Sequence, residues 1–486
     1  MSVVTIQVGQ CGNQLGASLL DALYDGSVAT NGPRNSATAP IGEQITLRRR
    51  REKFFQANKA LDEEEEIRYL EASSKPSVEN ERRRGKTTSS APTQRRIARA
   101  IMVDMEPRVI EECLATRRRW RYEAASCLSF EGGSGNNWAQ GFVQHGPKQA
   151  DALIELARRQ AEACDFMEAF TIIQSAGGGT GSGLGTYLTG ELGDHFPNTA
   201  KINVLVWPHQ SGEIVVQNYN AILTTNHLQS FSDGVVCLFN DHARYVCLKQ
   251  QHNKQPELDD LNRVLAGDLA SSMLLPALPS GSKPPCPRWA SPLCSSVSDT
   301  VRFMCPQNAF KMLQTHTVPM VGAQSISFTT NSWTSLLKDI KEAPTGMPMG
   351  HRVPFSGRLP YVKRLLTFRG LTASEYRVPQ SVAFKQVQEL FGPGHPCRTT
   401  TAEVLRMYTE DRSKTVLGVE RSISLLSNSS AIVAPLEAVT VAGHRMFSTG
   451  AFVHQYAAHG LSRDEIHNSF VGAEQIIHDY SSLSNQ

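Results

Sequence analysis

The sequence predicts an α/β fold built on a doubly wound parallel sheet, and three observations carry that expectation. Short apolar, β-branched runs alternate with longer stretches of helical periodicity through the first half of the chain. Each run is followed by polar or glycine-rich residues, the composition expected at the ligand-binding rim of an open parallel sheet. One of these rim segments reads QSAGGGTGSGLG, from Gln174 to Gly185, with six glycines in twelve residues.

Taken in order, the candidate strands are VVTIQV at 3–8, RAIMV at 99–103, FTII at 170–173, INVLV at 202–206 and VVCLF at 235–239. Val, Ile and Phe suit a pleated surface buried on both faces, as in parallel sheets flanked by helices. Between them, segments such as 148–164 carry apolar residues at helical spacing. The loops that follow the strands are GQCGNQLG, DMEP, SAGGGTGSG, WPHQSGE and ND, with GGSGNNWAQG between the second and third. The small and polar residues therefore gather at one rim.

The glycine segment joins a strand to a helix, so it is a turn rather than a linker. A helix N-terminus offers unpaired N–H groups and a partial positive charge, and glycines let an anion come close to the backbone. Phosphate is the natural guest. No lysine follows the glycines as a Walker loop requires, and no register gives the G-x-G-x-x-G of dinucleotide enzymes. That spacing argues against a dinucleotide-dependent enzyme and leaves a nucleotide held by a third design.

Composition bounds the rest. At 486 residues, 40% hydrophobic and 20% charged, the chain is predicted to be globular with two or three domains. No apolar run reaches membrane-spanning length, and the start, MSVVTIQVGQCG, has neither a basic leader nor a separate hydrophobic core, so no membrane span and a cytoplasmic location are expected. The ten cysteines include no Cys-x-x-Cys pair, and Cys286 and Cys294 approach each other only inside a Pro/Ser-rich stretch. Reduced, mostly buried thiols are expected rather than a zinc site or a disulfide frame. The net charge of +3 is local: residues 48–96 hold 14 Lys/Arg against 9 Asp/Glu, leaving 35 against 37 elsewhere. This window, with its RRRREKFF, DEEEEIRYLEASS and ERRRGKTTSSAPTQRR blocks, reads as a basic low-complexity surface insertion.

These residues carry a resemblance. GGGTGSG at 177–183, with GQCGNQ, VDMEP, GSGNNWA, YNAIL and DDLN in the same order, resembles the tubulin family, and the similarity runs on through SISLLSNSSAI, FVHQY and GAEQIIHDY. Within that family the chain most resembles the delta type, through MSVVTIQVGQCGNQLG, SGEIVVQNYNAIL, FKMLQTHTVPM and FTTNSWTSLLK. The resemblance implies a GTPase domain of tubulin type at 1–257 that contains the 48–96 insertion. It further implies a central helix at 258–275, a Pro/Ser-rich insertion at 276–296, an intermediate α/β domain at 297–425 and C-terminal helices within 426–486.

It also implies GTP or GDP bound across the rim with Mg²⁺. Gln10 and Cys11 would lie under the phosphates, with Gln10 near the metal, and Asp104 and Glu106 would reach the metal or its waters, which suits a small hard cation. Asn136, Ser175, Gly177, Gly178, Gly179, Thr180 and Gly181 would donate to phosphate oxygens. Asn240 and Asn262 would read guanine, an amide being able to donate to and accept from one base edge. Two positions depart from the family. Gln217 stands where a glutamate usually meets the ribose, and Leu258 stands where an aromatic ring usually stacks on the base, so weaker or less selective binding is expected.

In this family the acidic residue that orients the attacking water comes from the next subunit. Asp299, seven residues before Pro306, occupies that position, although SVSD also reads as a helix entrance in which Asp299 would be a cap. The implied partners are other tubulins by longitudinal and lateral contact, and centriole or basal-body components, with no nucleic acid. The expected location is the cytoplasm and cytoskeleton, at the centrosome, centriole or basal body and in the cilium or flagellum. The chain closes on SSLSNQ in place of a glutamate-rich tail, an expectation against a bulk microtubule subunit. A GTP-bound adaptor that hydrolyses nothing, or another specialised tubulin, is the alternative.

Overall fold

The computed structural model describes residues 2–25, 51–56, 96–116, 118–130, 132–209, 212, 214–273, 296–321, 332–342, 360–370, 403–408, 419 and 421–483. The strands are β1 (Ser2–Val8), β2 (Phe55–Gln56), β3 (Arg96–Ala98), β4 (Ala100–Asp104), β5 (Trp120–Arg121), β6 (Cys127–Ser129), β7 (Met167–Ser175), β8 (Ala200–Trp207), β9 (Gly234–Phe239), β10 (Met312–Val318), β11 (Tyr361–Arg369), β12 (Glu403–Tyr408) and β13 (Ser422–Ser429). The helices are α1 (Gly9–Asp25), α2 (Pro107–Ala115), α3 (Gly146–Glu162), α4 (Gly185–His195), α5 (Gln217–Phe231), α6 (Asn240–Tyr245), α7 (Leu258–Met273), α8 (Val297–Met304), α9 (Trp333–Glu342), α10 (Val433–Ser448), α11 (Val453–Ala457) and α12 (Arg463–Ser482). The five strands read from the sequence are β1, β4, β7, β8 and β9.

Ten strands form one sheet in the order β12-β11-β13-β10-β9-β8-β7-β1-β4-β6. From β10 to β6 every pair is parallel, while β13 runs antiparallel to both β10 and β11. The intermediate part predicted at 297–425 thus extends the first sheet through the β9–β10 pairing. The predicted boundary at residue 426 falls inside β13, which belongs to that sheet.

β1, β8 and β9 are buried along their whole length, the pattern of strands covered on both faces. Val3, Ile173, Ile202, Val204 and Val236 pack with Leu15, Leu19, Leu261 and Leu265, which seats α1 and α7 on one face. On the other face, Val4, Ile6, Phe170 and Ile172 meet Leu153, Ile154 and Leu188 of α3 and α4. The C-terminal part comprises α10 and α12 with the short α11 between them, and α10 and α12 lie across α5 through Leu436, Phe470 and Ala473.

Within the 48–96 stretch the described residues are 51–56 and 96, and these pack into the fold. Phe54 and Phe55 are buried in the core, Phe55 against Trp120, and the Lys53 ammonium lies 2.8 Å from the buried Glu168 carboxylate. Residues 57–95 and the Pro/Ser-rich stretch at 276–295, with Cys286 and Cys294, lie outside the described residues. The seven cysteines among the described residues are free thiols. No helix among the described residues is long and apolar enough to cross a membrane.

Candidate functional site

β1 is the pivot of the sheet. The chain leaves it toward β4 and β6 on one side and returns to β7, β8 and β9 on the other, so the crevice between the ends of β1 and β7 is the topological switch point. Two glycine-bearing loops meet there. Gly9, with φ at +75°, turns the chain from β1 into α1, and a Cβ on it would lie 3.0 Å from the Gly181 nitrogen. After β7 the chain passes Ser175 and Gly177 to Gly179 and enters a π-helical turn, Thr180–Leu184, that continues into α4. Such turns widen a helix start and are frequent at functional sites.

A third loop, 132–138, closes over this turn. Gly132, Gly133, Gly135 and Asn136 all have positive φ, and the Ser134 and Thr180 hydroxyls are hydrogen-bonded at 3.0 Å. It too runs into a π-helical turn, Gln140–His145. Gly178 has a different environment from its neighbours: a Cβ there would meet only the Ser175 hydroxyl at 3.3 Å, whereas one on Gly179 or Gly181 would run into backbone or the Ser175 side chain.

Beside the β1 loop, Asp104 ends β4. It is 3% exposed, and one carboxylate oxygen accepts from the Glu106 N–H at 3.3 Å while the other accepts from the Asn13 amide at 3.3 Å. Burial pushes its pKa up to about 6 against these hydrogen bonds. Glu106 is exposed and faces Gly133. Gln10 is exposed at the start of α1, and burial pushes the neighbouring Cys11 thiol up to about 12, which keeps it protonated. Two carboxylates and an amide are hard oxygen donors, too few to enclose an ion and enough to complete a coordination sphere shared with phosphate and water. Among the described residues, no group of three or more His, Cys, Asp or Glu side chains could hold a metal by itself.

Further along the rim, Asn240 is the first residue of α6 and Leu258 the first of α7, with Asn262 one turn further on. Leu258 is 59% exposed despite its apolar side chain. Gln217 folds back on its own loop, its amide donating to the His209 carbonyl at 3.1 Å. The His209 ring lies 2.7 Å from the Asp241 carboxylate, which ties that loop to the start of α6.

Asp299 is not at this rim. The Glu168 carboxylate, at the start of β7, accepts from the N–H groups of Val297 and Ser298 and so holds α8 at the far ends of the strands. Ser175 stands seven positions beyond Glu168 along β7, roughly 23 Å at about 3.3 Å per residue. The cap of α8 is Ser296, whose hydroxyl accepts from the Asp299 N–H at 3.0 Å, so the reading of Asp299 as the cap is corrected. A cavity of about 380 Å³, lined by His242, Tyr245, His316 and Met320 among others, involves none of the rim residues above.

The most connected residue of the rim was not singled out from the sequence. Asn220 of α5 is fully buried; its amide donates to the Gly177 carbonyl at 2.7 Å and the Asn136 carbonyl at 2.8 Å. Its carbonyl oxygen accepts from the Trp138 N–H at 3.0 Å and the Tyr456 hydroxyl at 2.6 Å. The available signal was an asparagine, a poor helix interior residue, on the apolar face of NYNAIL.

The fold and the rim define an α/β protein whose parallel sheet carries a glycine-lined crevice at its topological switch point. Residues 2–247 match the GTPase domain of the Tubulin/FtsZ family, and the chain belongs to the tubulin family. It is 32% identical to the tubulin delta chain of Canis lupus familiaris over 498 residues, covering 99% of this chain and all of that protein. It is 32% identical to the tubulin delta chain of Homo sapiens over 505 residues with the same coverage. With the tubulin beta chain of Porphyra purpurea the identity is 29% over 283 residues, covering 56% of this chain and 52% of that one.

Proposed function

We propose that this chain is a delta-type tubulin that binds GTP at the rim between β1 and β7 and acts in centrioles, basal bodies and the triplet microtubules of cilia or flagella. The observation that carries the reading is the convergence of the loops after β1 and β7 with the 132–138 loop around one open cradle, with Gly178 facing it. In this reading Gln10, Cys11, Asn136, Ser175 and Gly177 to Gly181 hold the phosphates, Asn240 and Asn262 read the base, and Gln217 and Leu258 meet the sugar and base less strongly than their usual counterparts. Mg²⁺ would be held by Asp104, Glu106 and Gln10, directly or through water, and would supply charge for the phosphate oxygens.

Hydrolysis is completed across a longitudinal contact, because Asp299 sits on the end of the subunit opposite the cradle and could act only on a neighbour's nucleotide. The partners are therefore other tubulins, stacked end to end and side by side, together with components of the centriole. Extraction of the nucleotide that co-purifies with the chain, resolved by ion-exchange chromatography, tests the binding reading. Guanine nucleotide near one per chain is the expected result, and adenine nucleotide or none overturns it.

A further inference from the structure

The Asn220 amide uses both of its donor hydrogens and both of its acceptor lone pairs inside the fold. Its two donors hold the carbonyls of Gly177 and Asn136, which belong to the two loops that flank the cradle. Fixing the Gly177 carbonyl inward turns the Gly178 N–H of the same trans peptide the other way, toward the cradle, where an anion can take it, while the hold on the Asn136 carbonyl fixes a loop whose Asn137 N–H is already taken by the Ser134 carbonyl at 2.8 Å. One acceptor bond is local, from Trp138. The other comes from Tyr456 of α11, 236 residues further along the chain.

Two more bonds join the same regions. The Asn137 amide donates to the Gln455 carbonyl at 3.2 Å, and the Tyr219 hydroxyl donates to the Ala451 carbonyl at 3.0 Å. The Tyr219 and Tyr456 rings pack edge to face at 5.5 Å between centroids, and both are fully buried. The loops around the cradle are thus fastened to the 451–456 segment through three hydrogen bonds, of which the Tyr456–Asn220 bond is buried from water.

We propose that Asn220 and Tyr456 form a relay that sets the phosphate loops and couples the terminal phosphates of the bound nucleotide to the segment between α10 and α12. The inference rests on the reading of the rim as a GTP site. Both are positioning residues, since neither needs to touch the ligand. Coupling of this kind is reciprocal: whatever engages the C-terminal helices changes the affinity for phosphate, and phosphate changes the order of the 451–456 segment.

The experiment compares guanosine, GDP and GTP binding by calorimetry in the wild type, Tyr456→Phe and Asn220→Asp. Tyr456→Phe removes one hydroxyl and keeps the ring, and is expected to weaken GTP by about five- to tenfold while guanosine stays within twofold. Asn220→Asp keeps the shape but sets carboxylate oxygens against two carbonyls, and should weaken GTP by about a hundredfold or more. Hydrogen exchange supplies the second measurement: GTP should slow exchange at residues 451–461 in the wild type and have little effect there in Tyr456→Phe. Equal losses for guanosine and GTP would mean a general packing role and overturn the relay, as would a Tyr456→Phe protein that binds all three like the wild type. A wild type that binds no guanine nucleotide overturns the GTP reading and the relay with it, whereas normal wild-type binding with indifferent variants overturns the relay alone.

Discussion

Gly9 and Gly181 lie back to back at the switch point of the sheet, so close that a Cβ on Gly9 would sit 3.0 Å from the Gly181 nitrogen. Gly9 follows β1 and opens α1, and Gly181 lies in the π-helical turn after β7, so this approach joins the two loops into one wall. A substitution at Gly9 would also be strained by its φ of +75°. The wall is structural, and the opening beside it is at Gly178.

Gly178→Val separates folding from binding for that reason. Its Cβ meets only the Ser175 hydroxyl and otherwise enters the cradle, so urea unfolding should shift by no more than about 1 kcal/mol. Guanine-nucleotide binding should nonetheless be lost. Gly181→Ala, which sets a methyl against Ser175, should instead cost about 1–3 kcal/mol of stability. A Gly178→Val protein with wild-type GTP affinity by calorimetry removes the loop from the site.

The strands and the glycine-rich turn after β7 were legible because each is local: β-branched runs, then glycines, in unbroken sequence. What the sequence hid depends on distant partners. Phe54 and Phe55 sit in a strongly charged window, and only the fold shows both buried, with Phe55 packed beside Trp120 and Tyr24. Asn220 looks like any helical asparagine until Gly177, Asn136 and Tyr456 are brought around it. The continuity of the sheet through β9 and β10 depends on pairing across some 75 residues, for which no local pattern exists. Ser296 rather than Asp299 caps α8, a matter of three residues that composition alone leaves open.

Leu258→Tyr should tighten GTP binding by about tenfold, the lower part of the 1–3 kcal/mol range for a base on an aromatic ring. The side chain is 59% exposed at the start of α7, so the larger ring has room and needs no repacking. Titration of GTP and ATP against both proteins measures it. If the tyrosine variant binds GTP no better, Leu258 does not face the base.

His316 predicts a loss of stability in acid. It is buried with neither ring nitrogen hydrogen-bonded, and burial, reinforced by the nearby His242, holds its pKa well below the usual histidine value. Above about pH 6.5 both folded and unfolded imidazoles are neutral and nothing changes. As the pH falls below that, the unfolded chain takes up a proton that the folded chain refuses, so stability drops by up to about 1.4 kcal/mol per pH unit. His316→Phe should abolish this part of the acid loss in urea titrations at pH 7.5 and 5.5. An identical acid loss in the variant would assign it to other groups.

Asp299→Asn tests where catalysis is completed. Phosphoryl transfer is driven mainly by positioning and by charge around the transferred group, so a cradle without a complete set of catalytic groups should bind GTP and leave it largely intact. Asp299 lies in the first turn of α8, which Glu168 holds at the far ends of the strands, roughly 23 Å from the cradle along β7. It can therefore serve only a nucleotide presented by another subunit. Because Ser296 supplies the cap, the variant keeps that cap, and the helix-dipole part of its loss is about 0.3–1 kcal/mol. The asymmetry is the signature: Asp299→Asn should leave the chain's own GTP affinity and the fate of its own nucleotide unchanged. Hydrolysis in the subunit stacked against α8 should slow by about a hundredfold or more. Assemblies in which one partner at a time carries radiolabelled GTP distinguish the two positions. Rapid turnover by the isolated chain, or slower hydrolysis of the variant's own nucleotide in that state, would place the catalytic group within a single subunit and exclude Asp299.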